Sequence, residues 1–180
     1  MDAGEYAREL DLPRRSKDAA FGSDPHSPIP PGERRKFEGL HYFAPDIRWS
    51  VKGGIARLPG GEVLEMATST GEPRRQVRYA RLTLSTPAGP ATLYAYKDAG
   101  HAHGGTLFVP FRDATSGRDT YGAGRYLDLD EPEGDEIVVD FNLAYNPYCA
   151  YSEAYSCPLP PAENWLKVAV TAGEKEFPPP

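Results

Sequence analysis

Residues 75–97 read RQVRYARLTLSTPAGPATLYAYK. Two runs rich in β-branched, aromatic and alternating apolar residues flank Pro87-Ala88-Gly89, the layout of a β-hairpin. Within 78–84, Ala80, Leu82 and Leu84 share one face. The pattern continues on both sides, with strands expected over 47–52, 62–68, 105–111, 124–129, 136–142 and 165–172 in addition to 75–85 and 90–97. Gly53-Gly54, Pro59-Gly60-Gly61, Thr70-Gly71, Gly104-Gly105 and Pro132-Glu133-Gly134 separate them as turns. About eight strands joined by short turns imply a mainly β fold, a small antiparallel β-barrel or sandwich. Consecutive hairpins favour the up-and-down barrel.

The N-terminal stretch 1–21 is the one helical segment expected, a short helix with Tyr6, Leu10 and Phe21 as its apolar stripe. Pro13 is expected to end or restart it, leaving Arg14, Arg15, Lys17 and Asp18 on a second short turn. Residues 22–36, GSDPHSPIPPGERRK, read as an ordered extended crossing, with Ile29 and Phe37 to bury. The organisation expected is one domain over 1–180: a helix and lead-in over 1–38, then a barrel over 39–180 with long loops at 112–123 and 143–164. A loop of some twenty residues inside a compact unit is usually functional or disordered. Four tyrosines and two cysteines in 143–164 argue for ordered packing.

Composition narrows the class. Leu, Ile, Val and Phe number only 33 of 180 residues, but eleven Tyr and two Trp add apolar area, and a net charge of −6 is too low for a disordered chain. No apolar run is long enough to span a membrane. The stretch MDAGEYARELDLPRR is polar and acidic, unlike a secretory signal, so a cytoplasmic location is expected. The mild acidity argues against nucleic acid as a partner.

The unusual residues cluster at the strand ends and in the two loops. Arg125 shares its face with Leu127 and Leu129, which carries it inward, where a guanidinium needs a carboxylate or another anion. Asp113 and Asp140 are the candidate partners. Arg112 ends the strand LFVPF beside Asp113, and Asn142, Asn146, Tyr121, Tyr145, Tyr148 and Tyr151 complete the same rim. Such a cluster serves equally as a structural network tying loops to a barrel end or as a ligand pocket.

Cys149 and Cys157 are expected to be reduced thiols. No Cys/His cluster marks a metal centre; His101 and His103, two residues apart between glycines, offer at most half a site, and no metal is expected. Thr68-Ser69-Thr70-Gly71 presents hydroxyls to an anion but reads more simply as a polar strand end. Walker-type loops, GxGxxG, GxSxG and HExxH are all missing, so the sequence names no cofactor.

FVPFRDATSG (108–117), TYGAGRYLDL (120–129), DFNLAYNPYCAYS (140–152) and CPLPPAEN (157–164) resemble the domain-of-unknown-function family 1684. RRSKDAAF (14–21), SPIP (27–30) and FEGLHYFAPD (37–46) resemble that family's lead-in. The resemblance implies one domain, found mainly in prokaryotes, and transfers no catalytic residue, because the family's activity is unassigned.

Three functions fit these readings. The first is binding of a small polar or anionic molecule at one end of the barrel by Arg112, Asp113, Arg125, Asp140, Asn142 and Asn146, with the tyrosines 121, 145, 148 and 151 as walls. The second is a hydrolase with Asp113 or Asp140 as general base. The third is a structural or partner-binding domain. The oligomeric state is open.

Overall fold

The computed structural model describes residues 1–100 and 105–178. A helix, α1 (Ala3–Ser23), precedes six antiparallel strands: β1 (Ser50–Met66), β2 (Arg74–Thr86), β3 (Gly89–Asp98), β4 (Thr106–Phe111), β5 (Arg125–Asp130) and β6 (Glu136–Asp140). They form one sheet in the order β5-β4-β3-β2-β1-β6. β1 to β5 are a meander, and β6 returns to the far side of β1. Only residues 131–135 join the two edge strands, a reach of roughly 20 Å at most. The edges must therefore approach one another, and the sheet curls into a half-barrel. Among the described residues no ladder links β5 to β6. The free edge of β5 is capped instead by Tyr145, which exchanges backbone hydrogen bonds with Tyr126 at 2.8 and 3.0 Å. No helix among the described residues is long and apolar enough to cross a membrane.

The strand count is six among the described residues, not eight, and the sheet is neither a closed barrel nor a sandwich. Of the expected strands 47–52 and 62–68, residues 50–52 and 62–66 are parts of one strand, β1, while Ile47–Trp49 is a 3-10 turn. Pro59-Gly60-Gly61 is a bulge within β1: Arg57 faces Ala80 and Glu62 faces Arg78, so the whole of 58–61 lies opposite Tyr79 alone. Gly61 is required there, since its φ is +34° and a Cβ would lie 2.5 Å from Val77 Cγ1. The expected strand 165–172 makes no ladder. Its alternation is genuine, with Val170 and Ala172 fully buried, but its carbonyls are engaged by side chains and by the loop at 112–114.

α1 is longer than expected and continuous through Pro13. Asp2 and Glu5 form a capping box at its start. Pro13 sits on the solvent side, while Tyr6, Leu10 and Phe21 are buried on either side of it. Packing on both flanks outweighs the lost hydrogen bond.

The sheet's inner face holds the core, including Leu82, Leu93, Leu107, Val109, Leu127 and Val139. Where β3 and β4 diverge, Asn164 fills the gap. Its Oδ1 accepts from the Tyr94 N–H at 2.7 Å, and its Nδ2 donates to the carbonyls of Tyr94 and Pro110 at 2.8 and 2.7 Å. Pro110 has no N–H to offer β3, so a side-chain amide replaces the missing rung. The chain passes here from the outer face, where Glu163 meets Tyr96 and Arg78, to the inner core at Val170.

One step beyond β5, on the inward phase of Arg125, Leu127 and Leu129, Glu131 spans the other end of the half-barrel. It accepts from Lys97 of β3 at 2.6 Å, Tyr79 of β2 at 2.5 Å and Arg57 of β1 at 3.0 Å. Burial raises the pKa of this carboxyl, but the three donors outweigh it and hold it down to about 2. A depressed folded-state pKa contributes stability above the unfolded value of ~4.3, and that stability is lost as pH falls toward the folded value. Urea melts of wild type and Glu131→Gln should therefore show a stability gap that is constant near neutrality and narrows steadily from pH ~4.3 toward pH ~2. A gap that stays level across that range contradicts the clamp.

Candidate functional site

Gly124 starts the site. Its φ is +103°, and a Cβ would lie 2.5 Å from the Phe111 carbonyl oxygen, so only glycine lets the 112–123 loop enter β5 this tightly. The next residue, Arg125, is wholly buried and faces Phe111 across the ladder. Its Nη2 donates to Asp113 Oδ2 at 2.9 Å and to the Val170 carbonyl at 2.9 Å. Its Nη1 donates to the carbonyls of Ala172 and of Glu174, the latter at 3.1 Å. One guanidinium thus takes three alternate carbonyls of the 170–174 segment, which bends at Gly173, where φ is +80°.

Asp113 is equally committed. Its Oδ1 accepts from the Thr115 N–H, the Thr115 hydroxyl and the Val170 N–H at 2.7, 2.6 and 3.2 Å. With Arg125 on Oδ2, its acceptor capacity is filled. Asp140 Oδ1 accepts from the N–H and Nδ2 of Asn142, both at 3.0 Å, and Oδ2 accepts from the Tyr6 hydroxyl at 2.6 Å. Asn142 in turn exchanges hydrogen bonds with the backbone of Asp46.

Glu174 extends the Arg125 network. It is only 2% exposed; its Oε1 accepts from Lys17 of α1, and its Oε2 from the Asn146 N–H at 2.8 Å and the Tyr151 hydroxyl at 3.0 Å. Burial and Glu174 together push the Tyr151 phenol pKa up. Asp113, Arg125, Asn146 and Tyr151 therefore belong to one chain of contacts. Two other expected site residues lie apart from it: Arg112 stacks over Trp165 at 4.8 Å, and Tyr121 donates to Cys149 Sγ at 3.5 Å; Tyr145 borders it, donating to Asp128 at 2.6 Å with its ring 5.3 Å from Lys17 Nζ. Tyr148 is 46% exposed and packs edge-on against Phe21 and Tyr155. Both cysteines are free thiols, and burial raises Cys157 to about 11. The His101/His103 pair lies outside the described residues, and among those described no group of His, Cys, Asp or Glu is arranged to hold a metal.

Beside this network, between α1 and the turn after β6, lies a cavity of about 160 Å³. Arg14, Lys17, Tyr42, Asn142, Tyr145 and Glu174 line it. Lys17 is paired with Glu174, but Arg14 is not paired with any carboxylate among the described residues. Its Nη atoms reach the carbonyls of Phe43 and Asn142 only at 3.4 and 3.5 Å, beyond good hydrogen-bond length, and its Nε has no partner. The Tyr42 hydroxyl is likewise buried without a partner, under the Arg14 guanidinium 4.2 Å from its ring. Burial lowers the Arg14 pKa, opposed by its charge interactions with Tyr42, Tyr6, Glu174 and Asp140.

Glu174, Lys17, Arg14 and Tyr42 were missed from the sequence. Tyr6, Leu10, Arg14, Lys17 and Phe21 form one stripe of a 3.6-residue period, which is visible once the helix is carried through Pro13. No comparable signal marks Glu174 within GEKEF.

A family model described as a protein of unknown function, DUF1684, matches residues 35–175. The chain belongs to that family. It is also similar to an uncharacterised protein of Haloarcula marismortui solved by solution NMR, at 43% identity and a TM-score of 0.73, over 96% of this chain and 95% of that one. No functionally curated protein matches it. The span matched to DUF1684 contains the whole Asp113–Arg125–Glu174 network, whereas Arg14 and Lys17 precede it.

Glu174→Ala should leave Lys17, the Asn146 N–H and the Tyr151 hydroxyl without their acceptor and cost about 3–5 kcal/mol. Hydrogen exchange should show protection lost first in α1, which Lys17 ties to the sheet. Uniform loss across all strands, with α1 no worse than the rest, contradicts that docking role.

Proposed function

We propose that this DUF1684 protein binds a small anion, of the carboxylate or phosphate class, in the cavity beneath α1. The observation that carries the reading is Arg14: a half-buried guanidinium without an ion-pair partner among the described residues, beside an unpartnered Tyr42 hydroxyl. Arginine's planar donors match either oxyanion. The cavity's volume of about 160 Å³ suits an anion of a few heavy atoms. Asn142 and Tyr145 remain in this site as lining residues. Arg125 and Asp113 support it from behind by holding the 170–174 segment, and the filled acceptor sites of Asp113 do not favour general-base chemistry there.

Thermal and urea melts in phosphate, acetate or chloride at matched ionic strength test the reading. Phosphate or acetate should stabilise wild type saturably, by about 2.7 kcal/mol at one hundred times Kd. Arg14→Met should abolish that gain while leaving the chloride baseline near that of wild type. Equal gains in wild type and variant, or no saturable gain, would overturn it.

A further inference from the structure

We infer that the ligand of the Arg14 cavity is a short-chain aliphatic monocarboxylate of about the size of butyrate. The inference rests on the anion-binding reading above and narrows it to one chemical class.

The charge on the wall favours a monoanion. Arg14, Lys17 and Glu174 are the charged side chains that line the cavity, and Lys17 is paired with Glu174. Arg14 is left as the unpaired charge among them, enough for a single carboxylate. The carboxylates of Glu174 and Asp140 both act on Arg14, so a second negative charge on the ligand would meet repulsion. The other polar groups are largely engaged. Asn142 bonds the Asp46 backbone and Asp140, Tyr145 donates to Asp128, and the Tyr42 hydroxyl is buried. A phosphate presents oxygens on every side and needs donors around it, whereas a carboxylate needs them at one end.

The remaining wall is hydrocarbon. Leu10 and Pro13 come from α1, and Leu143 and Ala144 from the turn after β6. An inorganic anion leaves these side chains unused, while an alkyl tail buries against them. The volume sets the length. An apolar cavity of about 150 Å³ takes a benzene-sized molecule of about six heavy atoms. This cavity has about 160 Å³, which butyrate fills.

Calorimetric titration of the full chain with acetate, propionate, butyrate and hexanoate at constant ionic strength tests the inference, with butyramide and phosphate as controls. Affinity should rise about fourfold per methylene from acetate to butyrate and level off at hexanoate. Butyramide, which keeps the shape and lacks the charge, and phosphate should each bind at least about tenfold more weakly than butyrate. Leu143→Ser should flatten the series while acetate binding is retained; Leu143 is 54% exposed, so this variant should fold. A flat series in wild type, an unbroken rise through hexanoate, or butyramide or phosphate binding as tightly as butyrate overturns the inference. Where acetate and phosphate still bind wild type and not Arg14→Met, the broader anion reading survives that result. No saturable binding of any anion, or equal binding by Arg14→Met, overturns both.

Discussion

Arg125 supplies the hydrogen bonds of a strand that the sheet does not contain. Residues 170–174 run along one end of the half-barrel with a bend at Gly173, and their alternate carbonyls point at one guanidinium. An arginine at zero exposure survives only if its charge is met, and Asp113 meets it. Asp113 in turn fastens Thr115 and the Val170 N–H, so the 112–123 loop and the carboxy-terminal segment are locked by the same pair. Glu174 carries the tie outward to Lys17, which secures α1. The core beneath, with Val170 and Ala172 fully buried, depends on that segment staying in place.

The two ends of β5 divide the task of curling the sheet. At its start Arg125 holds the carboxy-terminal segment; just past its end Glu131 reaches β1, β2 and β3. Both lie on the inward phase of a strand whose middle is Leu127 and Leu129. Charged residues at the ends and leucines between them let the half-barrel keep its curl without a β5–β6 ladder among the described residues. The same economy explains why most of the hydrogen-bonding capacity of the polar residues conspicuous in the sequence is used within the fold; of the buried atoms without a partner among the described residues, Arg125 Nε and Asn146 Oδ1 belong to the clamp, while Arg14 Nε, the Tyr42 hydroxyl, Gln76 Oε1 and Arg78 Nε lie outside it.

Much of the sheet was legible because alternation reports burial directly: Ala80, Leu82 and Leu84 do face the core, and Arg125 does turn inward. Alternation does not report who accepts the hydrogen bonds. Residues 165–172 alternate like a strand yet bond to Arg125, Asp113 and the 112–114 backbone, so the strand count came out too high. Pro59-Gly60-Gly61 has the composition of a turn, and only the register of β2 shows that it is a bulge. The helix stripe was hidden by Pro13, whose local penalty is outweighed by packing that the sequence does not display. Glu174 was unreadable, since its partners Lys17, Asn146 and Tyr151 are distant in the chain and meet only in the fold.

The structural role of Arg125 can be separated from a ligand-reading role by urea denaturation of wild type and Arg125→Ala, each with and without phosphate. Orphaning Asp113 and three carbonyls should cost about 3–5 kcal/mol, while the increment from phosphate stays as in wild type, because Arg14 and not Arg125 lines the cavity proposed for the anion. A variant within about 1 kcal/mol of wild type that no longer responds to phosphate would place the ligand at Arg125 and contradict the division between clamp and site.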